Sequence, residues 1–180
     1  MRVTSLPSAR IAPDDWLERQ CRQLHDVGCA LTGTLEQVNQ RCEAARAGQL
    51  GRRQPVTLEQ LREVEGNCQS LRRLQRTIQE ALYDTEQEIR ELRERDLTPA
   101  DLIVEAEYLI VRYRFLRRRN RVLVGLHDEL PRAALQALHC LHRLRRLREG
   151  DREATLFYPP GCEFALAALE QLRDEGEAPP

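Results

Sequence analysis

Three stretches of the chain place apolar side chains at alternating steps of three and four residues. That spacing lays one continuous seam along an α-helix and buries it against another helix. From Leu17 the seam runs through Cys21, Leu24, Gly28, Leu31, Leu35, Val38, Cys42 and Ala45. From Leu61 it runs through Val64, Cys68, Leu71, Gln75, Ile78, Leu82, Thr85, Ile89, Leu92 and Asp96. From Leu102 it runs through Ala106, Leu109, Tyr113, Leu116, Asn120, Leu123, His127 and Leu130. Of these 29 positions 23 are apolar, whereas a composition that is 41% hydrophobic predicts about 12. A strand would need strict alternation, so the pattern favours helices, as does an aromatic content of 4%. The expected fold is all-α: an elongated antiparallel helical bundle with coiled-coil-like packing, three long helices plus one or two shorter C-terminal helices.

Stop and start signals set the expected boundaries near 14–47, 57–97, 98–130, 132–148 and 161–173, within one domain spanning 13–173. Pro13, Asp14 and Asp15 open the first helix with carboxylates at its positive end. Gly48, Gly51 and Pro55 separate it from the second. In "LTPADL" (97–102), Thr98 can cap, Pro99 fits the first turn, and Leu97 and Leu102 are spaced as a hydrophobic staple. Pro131 is expected to end or kink the third helix. Leu135, Leu138, Leu141, Leu144 and Leu147 then mark a fourth helix, and "FYPPG" (157–161) a rigid turn before the last one. Residues 1–12 are expected to be a flexible N-terminus and 174–180 an acidic disordered tail. The third helix is also broadly apolar. Ile103, Val104, Ile110, Val111, Val122 and Val124 widen it beyond the seam, which predicts packing against two neighbours.

Charge is segmented although the net value is −1. Residues 98–150 carry 11 Arg against 6 acids, and 151–180 carry 2 Arg against 7 acids, so the tail is able to fold back on the basic segment or compete for it. All 28 basic residues are Arg and none is Lys, which fits either the codon bias of a GC-rich genome or selection against lysine-directed modification. "RYRFLRRRNR" (112–121) holds six of them. At about 100° per residue, Arg114, Arg117, Arg118 and Arg121 fall within an arc of roughly 100° pointing away from the seam. Arg112 and Arg119 flank the seam, where their stems can cover apolar neighbours. Arg143, Arg145, Arg146 and Arg148 form a second cluster. Such stripes suit carboxylate or phosphate contacts. They also suit pairing within the chain, for which Glu86, Glu88, Glu91 and Glu94 are available.

Polar interruptions of the seams read as structural. Asn120 at a buried position is expected to set helix register, His127 to play a structural role, and Gly28 either to permit close approach of another helix or simply to weaken that turn. Cys21, His25 and Cys29 recur every four residues, and with His139 and His142 they are candidate zinc ligands. Cys21 lies on the seam, however, where a free Cys behaves as a small core residue, so no metal is expected. The six cysteines form no CxxC pair, and no secretion signal, sequon or membrane-length apolar run is visible. Free thiols in a reducing intracellular compartment, cytoplasm or nucleus, are expected. No GxSxG, P-loop, GxGxxG or HExxH occurs, so no catalytic residue and no cofactor is assigned.

The stretch "DLIVEAEYLIVRYRFLRRRNRVLVGL" (101–126) resembles the Arg-Asn-Arg helix of subunits of the GINS replication complex, over about a seventh of the chain. That resemblance implies a helical subunit of an assembly. The family's small β-domain has no counterpart in the sequence, and the resemblance leaves the first 55 residues unaccounted for. The expected function is a non-enzymatic structural or adaptor subunit presenting helical faces and the Arg stripe to protein partners, with a second copy of itself as one candidate. The alternative is a nucleic-acid-associated protein that binds phosphates through the 112–121 and 143–148 clusters. No membrane association is expected.

Overall fold

The structure, a computed structural model, describes residues 14–50, 54–95, 99–151 and 162–174. They form an all-α bundle of three long helices and one short one: α1 (Asp15–Arg46), α2 (Leu58–Glu94), α3 (Pro99–Arg148) and α4 (Glu163–Asp174). The expected flexible N-terminus, the "FYPPG" turn, the Thr98 cap and the acidic tail after Asp174 lie outside the described residues.

The first two helices begin on side-chain caps. The Leu17 amide donates to Asp14 Oδ1 at 3.3 Å, with Asp15 and Glu18 in the first turn. Thr57 and Gln60 form a reciprocal capping box. The Gln60 amide donates to Thr57 Oγ1 at 3.2 Å, and the Thr57 amide donates to Gln60 Oε1 at 2.9 Å. α1 stops where Gly48 takes a φ of 72°, a conformation that suits glycine after a helix.

Burial follows the seams closely. Leu17, Cys21, Leu24 and Leu31 on α1, Val64, Leu71 and Ile78 on α2, and Leu116, Leu123 and Leu130 on α3 are all fully buried. Gln75 and Asn120 are half-buried on their seams, and Ala45 at the frayed end of the first seam is exposed. α2 and α3 form the most extensive pairing, antiparallel in register: Arg145 meets Glu65 at one end and Arg112 meets Glu88 at the other. α1 starts beside α3, where Asp14 lies 2.9 Å from Arg119 Nε. Its last residue, Arg46, is close in sequence to Leu58, where α2 begins near the Glu65–Arg145 end, so α1 runs parallel to α3.

Pro131 does not end α3. The helix is continuous from Pro99 to Arg148, so the expected 98–130 and 132–148 helices are one element. An interior proline costs about 3 kcal/mol through the lost amide bond and ring clash. Two features offset this cost. Pro131 is exposed, so the His127 carbonyl left without its amide lies on the wet side. On the dry side, Leu126 and Leu130 before it and Ala133, Ala134 and Ala137 after it enter one core. Breaking the helix would pull one set out.

The breadth of α3 is used unevenly. Val122 is buried in the core, but Ile110, Val111 and Val124 stay 51%, 40% and 39% exposed. α4 buries Ala165, Ala168, Leu169 and Leu172 against α1 and α3. Its entry is fixed by three contacts. The Phe164 ring lies directly over Gly125, where any Cβ would collide with it. The Cys162 thiol donates to the Leu24 carbonyl at 3.3 Å and lies against the Gly28 backbone. Glu129, partly buried beneath α4, accepts from the Phe164 amide, yet burial and the nearby Glu163 carboxylate raise its pKa.

Gly125→Ala is therefore expected to destabilise the fold by about 1–3 kcal/mol in denaturant unfolding, because the ring cannot stay seated. In a Phe164→Ala background the same change should cost nothing, a non-additivity readable from a double-mutant cycle. Glu129 gives a pH signature. Because its folded-state pKa is raised, its favourable contribution is complete below the ordinary glutamate range and is lost as pH rises through the folded value. Glu129→Gln should thus gain stability relative to wild type at pH 8 and gain little or nothing at pH 4, as read from melting temperatures across pH.

Candidate functional site

The arginines of 112–121 separate into two groups with different work. Arg112 and Arg119 are the inward pair. Arg112 Nε donates to Glu88 Oε1 at 2.8 Å, and its guanidinium lies over the Phe115 ring, 5.5 Å from the centroid. Arg119 covers the Trp16 ring at 5.4 Å while facing Asp14. The Arg119–Asp14 contact is Coulombic rather than a directed hydrogen bond, since neither buried atom has a partner in hydrogen-bonding geometry. These two side chains fasten α3 to α2 and to the start of α1.

Arg114, Arg117, Arg118 and Arg121 point the other way and, with Tyr113, line an open groove of about 340 Å³. Arg114, Arg117 and Arg121 are exposed, and among the described residues no carboxylate is in ion-pair distance of them. Arg118 is half-buried and has a contact of its own. A second open groove of about 380 Å³ adjoins the first and shares Tyr113 and Arg114 with it. It is lined by Leu92, Arg93 and Arg95 of α2 and by Leu109 and Ile110 of α3. Arg93 donates to the Tyr113 hydroxyl at 3.2 Å and lies 6.0 Å from its ring centroid, which lowers the phenol's pKa. Arg95 reaches Glu105 at 3.2 Å.

Tyr113 is thus only half-buried despite its seam position, because no described helix covers this side of the α2–α3 pair. The groove residues Arg93 and Arg95 are not singled out by the sequence, where this end of α2 reads as a source of acids, and Leu92 stands there only as a seam position. Ile110 does have a signal, as an apolar residue outside the seam.

The second arginine cluster is not brought to the first. Arg143 lies about 33 Å along the same helix from Arg121 at 1.5 Å per residue. Its members are engaged in part: Arg145 with Glu65 at 3.3 Å, Arg146 with Asp151, and Arg143 with a contact of its own. Arg148 is half-buried at the end of α3. Asn120 sits half-buried between Leu116 and Leu123.

The zinc candidates do not converge. Cys21 is fully buried in the core, Cys29 is exposed with its sulfur 3.5 Å from His25 Nε2, and His139 and His142 are exposed on α3. Among the described residues no group of three or more His, Cys, Asp or Glu is placed to hold a metal ion. No described helix is long and apolar enough to cross a membrane. Comparison with protein-family models, curated proteins and solved structures returned no match.

All six cysteines are free thiols. Burial pushes Cys21 and Cys140 up to about 12 and Cys162 up to about 11, and it raises Cys42 and Cys68 as well. Their thiolates are therefore scarce at neutral pH. Titration of the native protein with a thiol-specific chromogenic disulfide at pH 8 should show one fast-reacting group, removed by Cys29→Ser. The other five should react only as the protein unfolds.

Proposed function

We propose that the protein is a non-enzymatic structural or adaptor subunit that engages protein partners through the outward face of the α2–α3 pair. The observation that carries this reading is the union of two surface types in one place. A basic groove and an apolar-floored groove share Tyr113 and Arg114, and Ile110 beside them is half exposed. Phosphate binding needs the arginines but has no use for Leu92, Leu109 and Ile110, whereas protein interfaces combine apolar cores with arginine. The engagement of Arg143, Arg145 and Arg146 within the chain also leaves a phosphate-binding reading with one cluster rather than two.

The nucleic-acid reading retains the exposed Arg114, Arg117 and Arg121, and one experiment separates the two. Wild type and an Arg114/Arg117/Arg121→Glu variant, with Arg118 left intact, are recovered from nuclease-treated lysate of the native source, and their companions are identified. A reproducible set of proteins present with wild type and lost with the variant is the expected outcome. Nuclease-sensitive recovery, together with binding to generic RNA or duplex DNA that falls steeply with salt, would replace the adaptor reading with the phosphate one.

A further inference from the structure

Resting on the adaptor reading, we infer that the double groove at Tyr113 seats one acidic amphipathic helix of another protein. The placement of the groove carries the first part of this inference. At about 100° per residue, Ile110, Arg114, Arg117 and Arg121 lie within roughly 40° of the direction opposite Arg119, the residue that holds the start of α1. The face is therefore turned away from α1 and alongside α2, whose Leu92 and Arg93 form the other wall. From Ile110 to Arg121 it extends about 17 Å, three helical turns, which matches anchors at i, i+3 or i+4, and i+7 on a helical ligand.

The chemistry carries the second part. The floor is Leu92, Leu109, Ile110 and the Tyr113 ring, and among the described residues the charged groups lining both grooves are all guanidiniums. A ligand that buries apolar side chains there brings its flanks against Arg93, Arg114 and Arg117. Only Asp or Glu at those flanks avoids leaving charges desolvated and unpaired. Arginine's planar fork also suits carboxylates in a way a point charge does not.

Other occupants fit less well. Residues 1–13 carry two Arg and no acid, and 175–180 offer two Glu with no apolar residue larger than Ala or Pro. A second copy placed groove to groove sets arginine against arginine. Nucleic acid has no use for the aliphatic floor.

A display library of 20-residue helical peptides with randomised faces, panned on the full chain and counter-selected on an Ile110→Asp variant, tests this. Ile110 is half exposed, so the variant should fold; Arg114→Glu serves as a second variant, and circular dichroism checks both. The expected enrichment is apolar residues at helical spacing with Asp or Glu on their flanks. Affinity should fall about tenfold or more in each variant, and with rising salt. Enrichment with no acidic bias, binding insensitive to both variants, or no enrichment at all overturns the inference. So does a tenfold gain in peptide affinity on deleting 175–180, which would assign the groove to the chain's own tail, or a wild-type dimer that Ile110→Asp dissociates. Failure here with Arg-dependent protein capture intact leaves the adaptor reading standing and removes only the helical ligand. Loss of capture with acidic peptides still bound does the reverse.

Discussion

The antiparallel seam between α2 and α3 is the contact on which the rest of the molecule depends. Neither helix is a strong isolated former; both are rich in charged residues, and α3 also has a proline inside it. What holds them helical is burial of one stripe each, with Leu71, Leu74 and Ile78 facing a core shared with Leu123, Leu126 and Leu130. At about 1.5–3 kcal/mol for each fully buried large aliphatic side chain, a handful of such residues outweighs the proline. α1 and α4 then dock on a scaffold already straightened by this pairing. The order of dependence explains why α4, only 12 residues long, is placed by contacts as specific as a ring on a glycine.

The architecture was legible because its cause is periodic. Each seam residue repeats the same instruction, so isolated exceptions such as Gln75 or Asn120 do not erase it. The capping box at Thr57 and Gln60 was not read from the sequence, although it has a local signature, a threonine followed three residues later by glutamine ahead of an apolar run. Pro131 misleads for a physical reason. Its local effect is to break a helix, and only the long-range burial of Leu130 and Ala133 on either side reverses that. Gly125 has no local signature, because its importance comes from a phenylalanine 39 residues further on.

The candidate site divides along the same line. That Arg114, Arg117, Arg118 and Arg121 share a face follows from helical spacing alone, as does the inward setting of Arg112 and Arg119. Which carboxylates each would meet does not follow, since Glu88 and Asp14 lie on other elements. The contribution of α2 to the groove was hidden for a related reason. Arg93 and Arg95 stand in a segment whose sequence reads as acidic, and only the antiparallel register turns them toward Tyr113 and Glu105. Charge counted along the chain and charge presented on one face are different quantities here.

Asp14 ties these two levels together. Its Oδ1 caps α1 through the Leu17 amide, while Oδ2 faces the guanidinium of Arg119, which also covers Trp16. The start of α1 is thereby held at the level of Arg119. Toward Pro99, α3 has only α2 beside it among the described helices, and Tyr108, Ile110 and Val111 remain 54%, 51% and 40% exposed. A two-helix stretch buries less apolar surface per residue than the three- and four-helix region, so it is the part that opens first. It is also where added burial yields the most. A ligand helix laid against it would supply the third element that α1 supplies lower down, so the same shortfall that weakens this end makes it receptive.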